Sequence, residues 1–300
     1  MTDGIINVYK EKGYTSHDVV AKMRGILKMK KIGHTGTLDP DAEGVLPVCI
    51  GKGTKLVDMI TDKDKTYQAV CRLGITTDTQ DISGKILRSE KPEVTYSQLQ
   101  KAVQGYIGDY MQLPPMFSAI KVDGKKLYEL ARQGIEIERE RRRVSIYDIH
   151  ILDFKEAEQE FTVIVKCGKG TYIRTLLHDI GEALGCGATM VHLLRTQVGS
   201  FPIKEALRLS EIEALVKEDM LSDHIVTIAQ IFQDLTRLSV SKEYDRLVHN
   251  GNPFFLVQAQ EEQNILDKEQ VRVYDSENCF IGIYEYDLEK ESFKPIKMFL

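Results

Sequence analysis

Residues 161–194, FTVIVKCGKGTYIRTLLHDIGEALGCGATMVHLL, read in order as a strand, a turn, a helix and a second strand. Phe161–Cys167 and Met190–Leu194 carry strand patterns, whereas Ile173, Leu176, Leu177, Ile180 and Leu184 recur at helical spacing and make one buried face. Working outward, Lys65–Leu73 (KTYQAVCRL) alternates as a strand, and TTDTQDISGK is a turn-rich connection to another strand near Lys85–Leu87. Arg143–Tyr147 and His150–Phe154 add two strands. Ser97–Tyr106 and Lys125–Gln133 are expected helices, the second closed by Gly134 as a C-terminal cap. At the start, Ile5–Tyr9 is a short strand, and Thr15 with Asp18 forms a capping box for a helix burying Val19, Val20, Met23, Ile26 and Leu27. Helices scattered among many strands, without strict βαβ alternation, predict an α+β domain on a central mixed or antiparallel sheet.

The character changes after Ser210, whose S-E-I-E is read as another capping box. From about residue 235 the chain looks like a small β-rich module, with Val271–Tyr274 and Cys279–Tyr286 forming a hairpin. The expected division is therefore a larger domain over 1–230 and a smaller one over 235–300. No repeat of 20–50 residues and no low-complexity segment appears.

With 300 residues, 42% hydrophobic and 28% charged, the composition is that of a globular chain. No apolar run reaches the roughly 20 residues of a membrane helix, and MTDGIINVYKEKG lacks a basic segment followed by an apolar one, so export is not expected. The five cysteines are widely spaced with no CxxC pair, which fits a reducing cytoplasm better than a disulfide framework or a zinc site. The net charge of −5 conceals an asymmetry, because residues 211–300 hold 18 acidic and 9 basic side chains and the remainder is net positive. Phosphate binding depends on such local fields, so the first 210 residues could hold a nucleic acid.

The stretch 30–44, KKIGHTGTLDPDAEG, has neither a two-residue nor a 3.6-residue apolar period and is read as a long loop. Within it Asp39 precedes Pro40, which biases its backbone to an extended conformation. Its carboxylate is ionised at neutral pH and can act as nucleophile or base without a metal, the bland alternative being a turn aspartate bonding its own backbone. Arg174 lies in the first turn of the 169–185 helix, where the helix dipole disfavours a cation. A carboxylate or an RNA phosphate beside it would explain that position; otherwise it faces solvent. A bidentate Arg174–Asp39 pair would keep the carboxylate ionised and oriented.

Tyr67 and Tyr172 each follow a threonine, and are either core residues or rings for stacking a flipped base. The stretch 121–147 is the most basic, with Lys121, Lys125, Lys126, Arg132, Arg141, Arg142 and Arg143, and reads as an RNA-gripping insertion or as a solvated helix and strand. GKGT occurs at 51–54 and 168–171, but Leu46 and Val163 stand where a phosphate-binding loop needs glycine, so no nucleotide cofactor is expected. His34, Asp39, Asp41 and Glu43 could be metal donors, yet neither they nor His178 and Asp179 have ligand spacing, and no metal is expected.

GHTGTLDPDAEGVLPVCIG, KTYQAVCRLG with TTDTQD following, PPMFSAIKVDGKKLYELARQG and CGKGTYIRTLLHDIGEALGCGA together closely resemble TruB-type tRNA pseudouridine-55 synthases, in order, over roughly residues 4–210. The tail, with VRVYDSENCFIGIYEYD, more loosely resembles a small PUA-like RNA-binding domain. The resemblance implies a pseudouridine synthase fold that acts, without a cofactor, on the uridine of the tRNA T loop. It implies that Asp39 is the catalytic aspartate, that Tyr67 packs on the target base, and that Arg174 pairs with the aspartate. His34, Tyr172 and Leu193 correspond to further residues contacting the substrate. A monomer is expected. The rival reading is a non-catalytic tRNA-folding chaperone, whose binding would need neither Asp39 nor Arg174.

Overall fold

The computed structural model describes residues 3–122, 124–260 and 264–300, so residue 123 of the basic stretch and 261–263 of the C-terminal module lie outside it. The main sheet has ten strands. Its path runs Ile225–Thr227, Gly4–Lys10, Glu43–Ile50, Ala188–Val198, Lys65–Leu73, Glu160–Cys167, Arg142–Lys155 and Gly108–Gln112, with Ile32–His34 beside Glu43–Ile50 and Phe201–Pro202 beside Ala188–Val198. Among the described residues every ladder between these strands is antiparallel except one short parallel junction, where Glu43 and Gly44 face Leu194 and Arg195. The expected mixed sheet is present.

Lys65–Leu73 alternates strictly between buried and half-buried positions, as its sequence pattern requires. Its buried face, with Phe161, Val163 and Val165 of the neighbouring strand, packs against Ile173, Leu176, Leu177 and Ile180 of the helix Ile173–Ala183. Helix Ser16–Leu27 begins with the expected box, the Thr15 side chain accepting from the Asp18 N–H and the Asp18 carboxylate accepting from the Thr15 N–H. It buries Val19, Val20, Met23 and Leu27 over the Gly4–Lys10 side of the sheet.

Four expectations need correction. Glu43–Ile50 is a strand of the sheet interior that no alternation announced, since both of its faces are buried and the run is continuously apolar. Its Pro47 carbonyl accepts from the Thr35 N–H at 3.2 Å just beyond the pairing with Ile32–His34, so the missing N–H falls at the end of that ladder. The 30–44 loop is shorter than expected, because Ile32–His34 pairs with residues 48–50. Arg143–Tyr147 and His150–Phe154 are one strand, Arg142–Lys155, bent at two register shifts that disguise its continuity. Helix Leu209–Lys217 is capped at Arg208, whose N–H donates to Glu211 Oε2 at 2.6 Å, and Ser210 is inside it.

The basic stretch divides. Lys121–Val122 and Lys125–Lys126 form a small hairpin leading into helix Leu127–Arg132, whereas residues from Arg142 onward belong to the main sheet. Gly134 follows this helix with φ +71°, the left-handed conformation of a C-terminal cap. A second sheet of five strands, in the order Thr236–Ser239, Gln270–Tyr274, Phe280–Asp287, Ser292–Met298 and Phe254–Phe255, contains the expected hairpin. Phe280, Ile283 and Phe299 from this sheet and its C-terminal end pack with Phe232, Ile5 and Val45.

Candidate active site

Asp39 sits in the connection between Ile32–His34 and Glu43–Ile50, and that connection is tied down residue by residue. Leu38 N–H donates to Ser16 Oγ at 2.9 Å, at the first residue of the N-terminal helix. Gly13 N–H and the buried Lys10 Nζ both donate to the Pro40 carbonyl, at 2.9 and 3.1 Å. Ala42 N–H closes a turn on the Asp39 carbonyl at 3.1 Å. The turn-aspartate reading is therefore true of the Asp39 backbone, while its side chain is free for other work.

That side chain meets Arg174 edge-on. Arg174 Nε is 3.0 Å from Asp39 Oδ2, and Nη2 is 3.3 Å from Oδ1. The remaining guanidinium hydrogens are also used, Nη1 donating to the Thr79 carbonyl at 2.9 Å and Nη2 to the Phe117 carbonyl at 2.8 Å. Asp81 Oδ2 lies 3.5 Å from Nη1, so a second carboxylate shares the arginine. Arg174 is buried, its side chain 5% exposed, whereas the Asp39 side chain is 38% exposed and so can be reached from outside. Burial pushes the Asp39 carboxyl above its ordinary range, and Asp81 pushes the same way, whereas Arg174 and Lys10 pull it down. The arginine thus offsets desolvation that would otherwise favour the neutral acid.

Tyr67 is buried in the middle of its strand, directly across the ladder from Arg195, whose charge reaches its hydroxyl. Burial raises its pKa, with Arg195 acting against the rise. Tyr172 precedes the Arg174 helix, and the side-chain amide of the buried Gln112 both accepts from its N–H at 2.8 Å and donates to its carbonyl at 3.0 Å. The charge of Asp39 reaches the phenols of both tyrosines. Leu193 is buried and pairs with Ala69, two residues along from Tyr67. His34 is half-buried and T-shaped against His17 at 5.2 Å, and its Nδ1 accepts from Gly36 N–H at 3.3 Å, leaving the hydrogen on Nε2. Burial, with the charges of His17 and Arg195, lowers its pKa to about 4, so the ring is neutral at physiological pH.

The basic residues are less uniform. Lys121, Lys125, Arg132, Arg141, Arg142 and Arg143 are exposed. Lys126 and Arg132 lie over the Tyr128 ring at 5.4 and 5.3 Å. Arg141 donates to the Met111 carbonyl at 3.0 Å, and Arg143 is paired with Asp109, an exposed pair that a phosphate could compete with.

Sequence reasoning missed Lys10, Asp81, Gln112 and Arg195. Asp81 stood in the quoted TTDTQD, but nothing local shows that this turn folds back on Arg174. Lys10 follows the expected strand Ile5–Tyr9 with no motif to mark it; it is buried because three carbonyls, from Glu11, Tyr14 and Pro40, surround its ammonium at 3.2, 2.5 and 3.1 Å. Desolvation lowers its pKa to about 8.

The carboxylate gripped by a buried guanidinium, with two tyrosines in reach of its charge, is the candidate site. The chain's fold matches that of the Cbf5-Nop10-Gar1 complex, with TM-score 0.72 and 25% identity over 99% of this chain and 85% of that one. The first half matches the family described as TruB family pseudouridylate synthase (N terminal domain), over residues 24–173, and residues 174–235 match the tRNA pseudouridylate synthase B C-terminal domain. The tRNA pseudouridine synthase B of Lachnoclostridium phytofermentans is 52% identical, covering 99% of this chain and 100% of its own. That of Staphylococcus saprophyticus is 43% identical over the full length of both. The chain belongs to the TruB family of pseudouridine synthases, as the resemblance implied.

Proposed function

We propose that this enzyme isomerises uridine 55 in the T loop of tRNA to pseudouridine, with Asp39 as the reacting carboxylate. The observation that carries the reading is the edge-on Arg174–Asp39 pair, with the arginine buried and the aspartate open. Binding alone requires neither residue, which sets the enzyme apart from a tRNA-folding chaperone.

The reaction breaks the N1–C1′ bond, turns the uracil and joins C5 to C1′, after which the C5 proton leaves. It consumes no cosubstrate. Inside a folded loop the base is stacked, so it is first flipped out at a cost of a few kcal/mol, offset by backbone contacts and by stacking on Tyr67. Attack by the carboxylate at C1′ or at C6, or its assistance to a glycal route, each needs Asp39 ionised, which is the contribution of Arg174. Tyr67 is the candidate acceptor of the C5 proton, and His34, Tyr172 and Leu193 contact the flipped nucleoside or its loop. The neutral His34 offers an N–H donor without adding charge.

Lys121, Lys125, Lys126, Arg132, Arg141, Arg142 and Arg143 grip the RNA backbone, and residues 235–300 serve as a PUA-like RNA-binding module beside the 1–230 catalytic domain. The proposed working unit is a monomer. Five free cysteines, four of them buried, suit the cytoplasm, where tRNA is processed.

Single-turnover conversion of unmodified tRNA by wild type and Asp39→Asn, with chelator and without nucleotide, tests the reading. Conversion at the T loop by wild type alone, with tRNA binding kept by the variant, is the expected result. Tight binding without conversion by folded wild type would return the chaperone; loss of conversion on chelation would require a metal.

A further inference from the structure

Among the described residues Arg195 is the largest fully buried side chain, at 1% exposure, and it carries a permanent charge in the sheet interior. It is placed at the junction of three strands. Its antiparallel partner is Tyr67 and its parallel partner is Gly44, so it stands between the strand carrying the stacking tyrosine and the strand that follows the Asp39 loop. Nε donates to the Val45 carbonyl at 2.7 Å and Nη2 to the Gly36 carbonyl at 3.2 Å, on either side of Asp39 in sequence. The charge of the same guanidinium reaches the Tyr67 hydroxyl.

Among the described residues Arg195 donates to two carbonyls, faces Tyr67 across the ladder and has no carboxylate within ion-pair distance. Arg174, the other buried arginine, has two carboxylates. A buried guanidinium without a counter-charge is expensive to keep, and a neutral side chain could bond the same carbonyls with less desolvation. The position makes sense if negative charge appears beside it during the reaction, and the phenol oxygen of its ladder partner Tyr67 is the group that can develop it.

We infer that Arg195 is a positioning residue that fixes the Tyr67 hydroxyl against the target base, ties it to the Asp39 loop, and stabilises negative charge on that oxygen. The inference rests on the reading of Tyr67 as the residue at the reacting base. When the Tyr67 oxygen takes the C5 proton from the uracil, the phenol's own proton passes to solvent water at the open side of the site, and the fixed cation directly across the ladder lowers the penalty for the negative charge that builds on the oxygen between the two transfers. Burial raises the Tyr67 pKa and Arg195 counters the rise, in keeping with this role.

A double-mutant cycle tests it. Arg195→Lys, Tyr67→Phe and the double variant are compared by single-turnover conversion of tRNA, with tRNA affinity and thermal melting measured alongside. The expected result is a loss of about tenfold for Arg195→Lys in the wild-type background that falls below about twofold in the Tyr67→Phe background. An equal loss in both backgrounds, or none in the wild type, overturns the role of Arg195 while leaving Tyr67 intact. A fully active Tyr67→Phe overturns the reading of Tyr67 and this inference with it, a pattern distinct from the other two. Should Arg195→Lys fail to fold, the native protein labelled with ¹³C at the tyrosine Cζ answers instead. Tyr284, buried with no cation beside it and raised to about 12, is the internal reference. Tyr67 beginning to ionise ahead of Tyr284 supports the inference; Tyr67 with no ionisation ahead of Tyr284 overturns it.

Discussion

Arg174 stands between Asp39 and Asp81, presenting Nε and Nη2 to the first and Nη1 to the second, at 3.0, 3.3 and 3.5 Å. With the carbonyls of Thr79 and Phe117 also bonded, the planar fork is matched on three sides. A lysine has one ammonium and cannot span these positions. Arg174→Lys is therefore expected to slow single-turnover conversion about 100-fold, roughly 2.7 kcal/mol, with tRNA affinity within about threefold of wild type. An affinity loss as large as the rate loss would show that Arg174 serves RNA binding instead.

The same arrangement sets the pH dependence. The proposed reaction needs Asp39 ionised, and burial with Asp81 raises its carboxyl above the usual value of about 3.9. Activity is thus lost, as pH falls, at a higher pH than an ordinary aspartate would give. Asp81→Asn removes a like charge and should move the acid limb of the single-turnover profile to lower pH, whereas Arg174→Gln removes the opposing cation and should move it higher. A limb that ignores both changes would mean another group controls it. For stability the sign is opposite: a raised carboxyl favours the fold when protonated, and that contribution is lost as pH rises through the folded value. Asp39→Asn should accordingly melt higher relative to wild type at pH 7 than at pH 4.

Lys10 illustrates a different kind of support. Its ammonium holds the Pro40 carbonyl next to Asp39 and is itself enclosed by two further carbonyls. Lys10→Met leaves those acceptors without their buried donor, at a cost of about 1–3 kcal/mol. The expected outcome is a lower urea midpoint and a reduced kcat with little change in KM, since the loop loosens without losing an RNA contact. Unchanged kcat in the destabilised variant would confine Lys10 to the fold. Because its pKa falls from 10.5 to about 8, the wild-type fold gains stability as pH rises between those values, and Lys10→Met should lose that dependence.

How much of this could be read in the chain depends on whether the cause was local. The Thr15–Asp18 box, the alternation of Lys65–Leu73 and the apolar face of Ile173–Ala183 are short-range patterns, and they appear where the residues require them. Asp39 and Arg174 were picked out by an Asp-Pro step and by a cation at the wrong end of a helix, but their contact spans 135 positions and is set by topology. Glu43–Ile50 escaped notice because a strand buried on both faces has no alternation, and because Pro47 argues against an interior strand unless its neighbours are known. Arg195 and Asp81 act through partners brought together only when the sheet closes. No motif in the chain marks a buried arginine facing a tyrosine on the next strand.

Gly44 shows how tightly that closing is specified. Its φ is +107°, outside the range that other residues adopt readily, and a Cβ there would stand 2.2 Å from the Arg195 carbonyl oxygen. The obstacle is backbone on the facing parallel strand, which cannot turn aside as a side chain would. Gly44→Ala must therefore push apart the one parallel junction of the sheet, or twist the strand that follows the Asp39 loop, at a cost of about 3 kcal/mol or more. Two effects should appear together: a fall in the urea midpoint, and a loss of conversion greater than the unfolded fraction explains, because the displaced strand carries Val45, to which Arg195 is bonded. A variant as stable and active as wild type would show that residues 43–44 do not hold the junction on which the placement of Asp39 relative to Tyr67 depends.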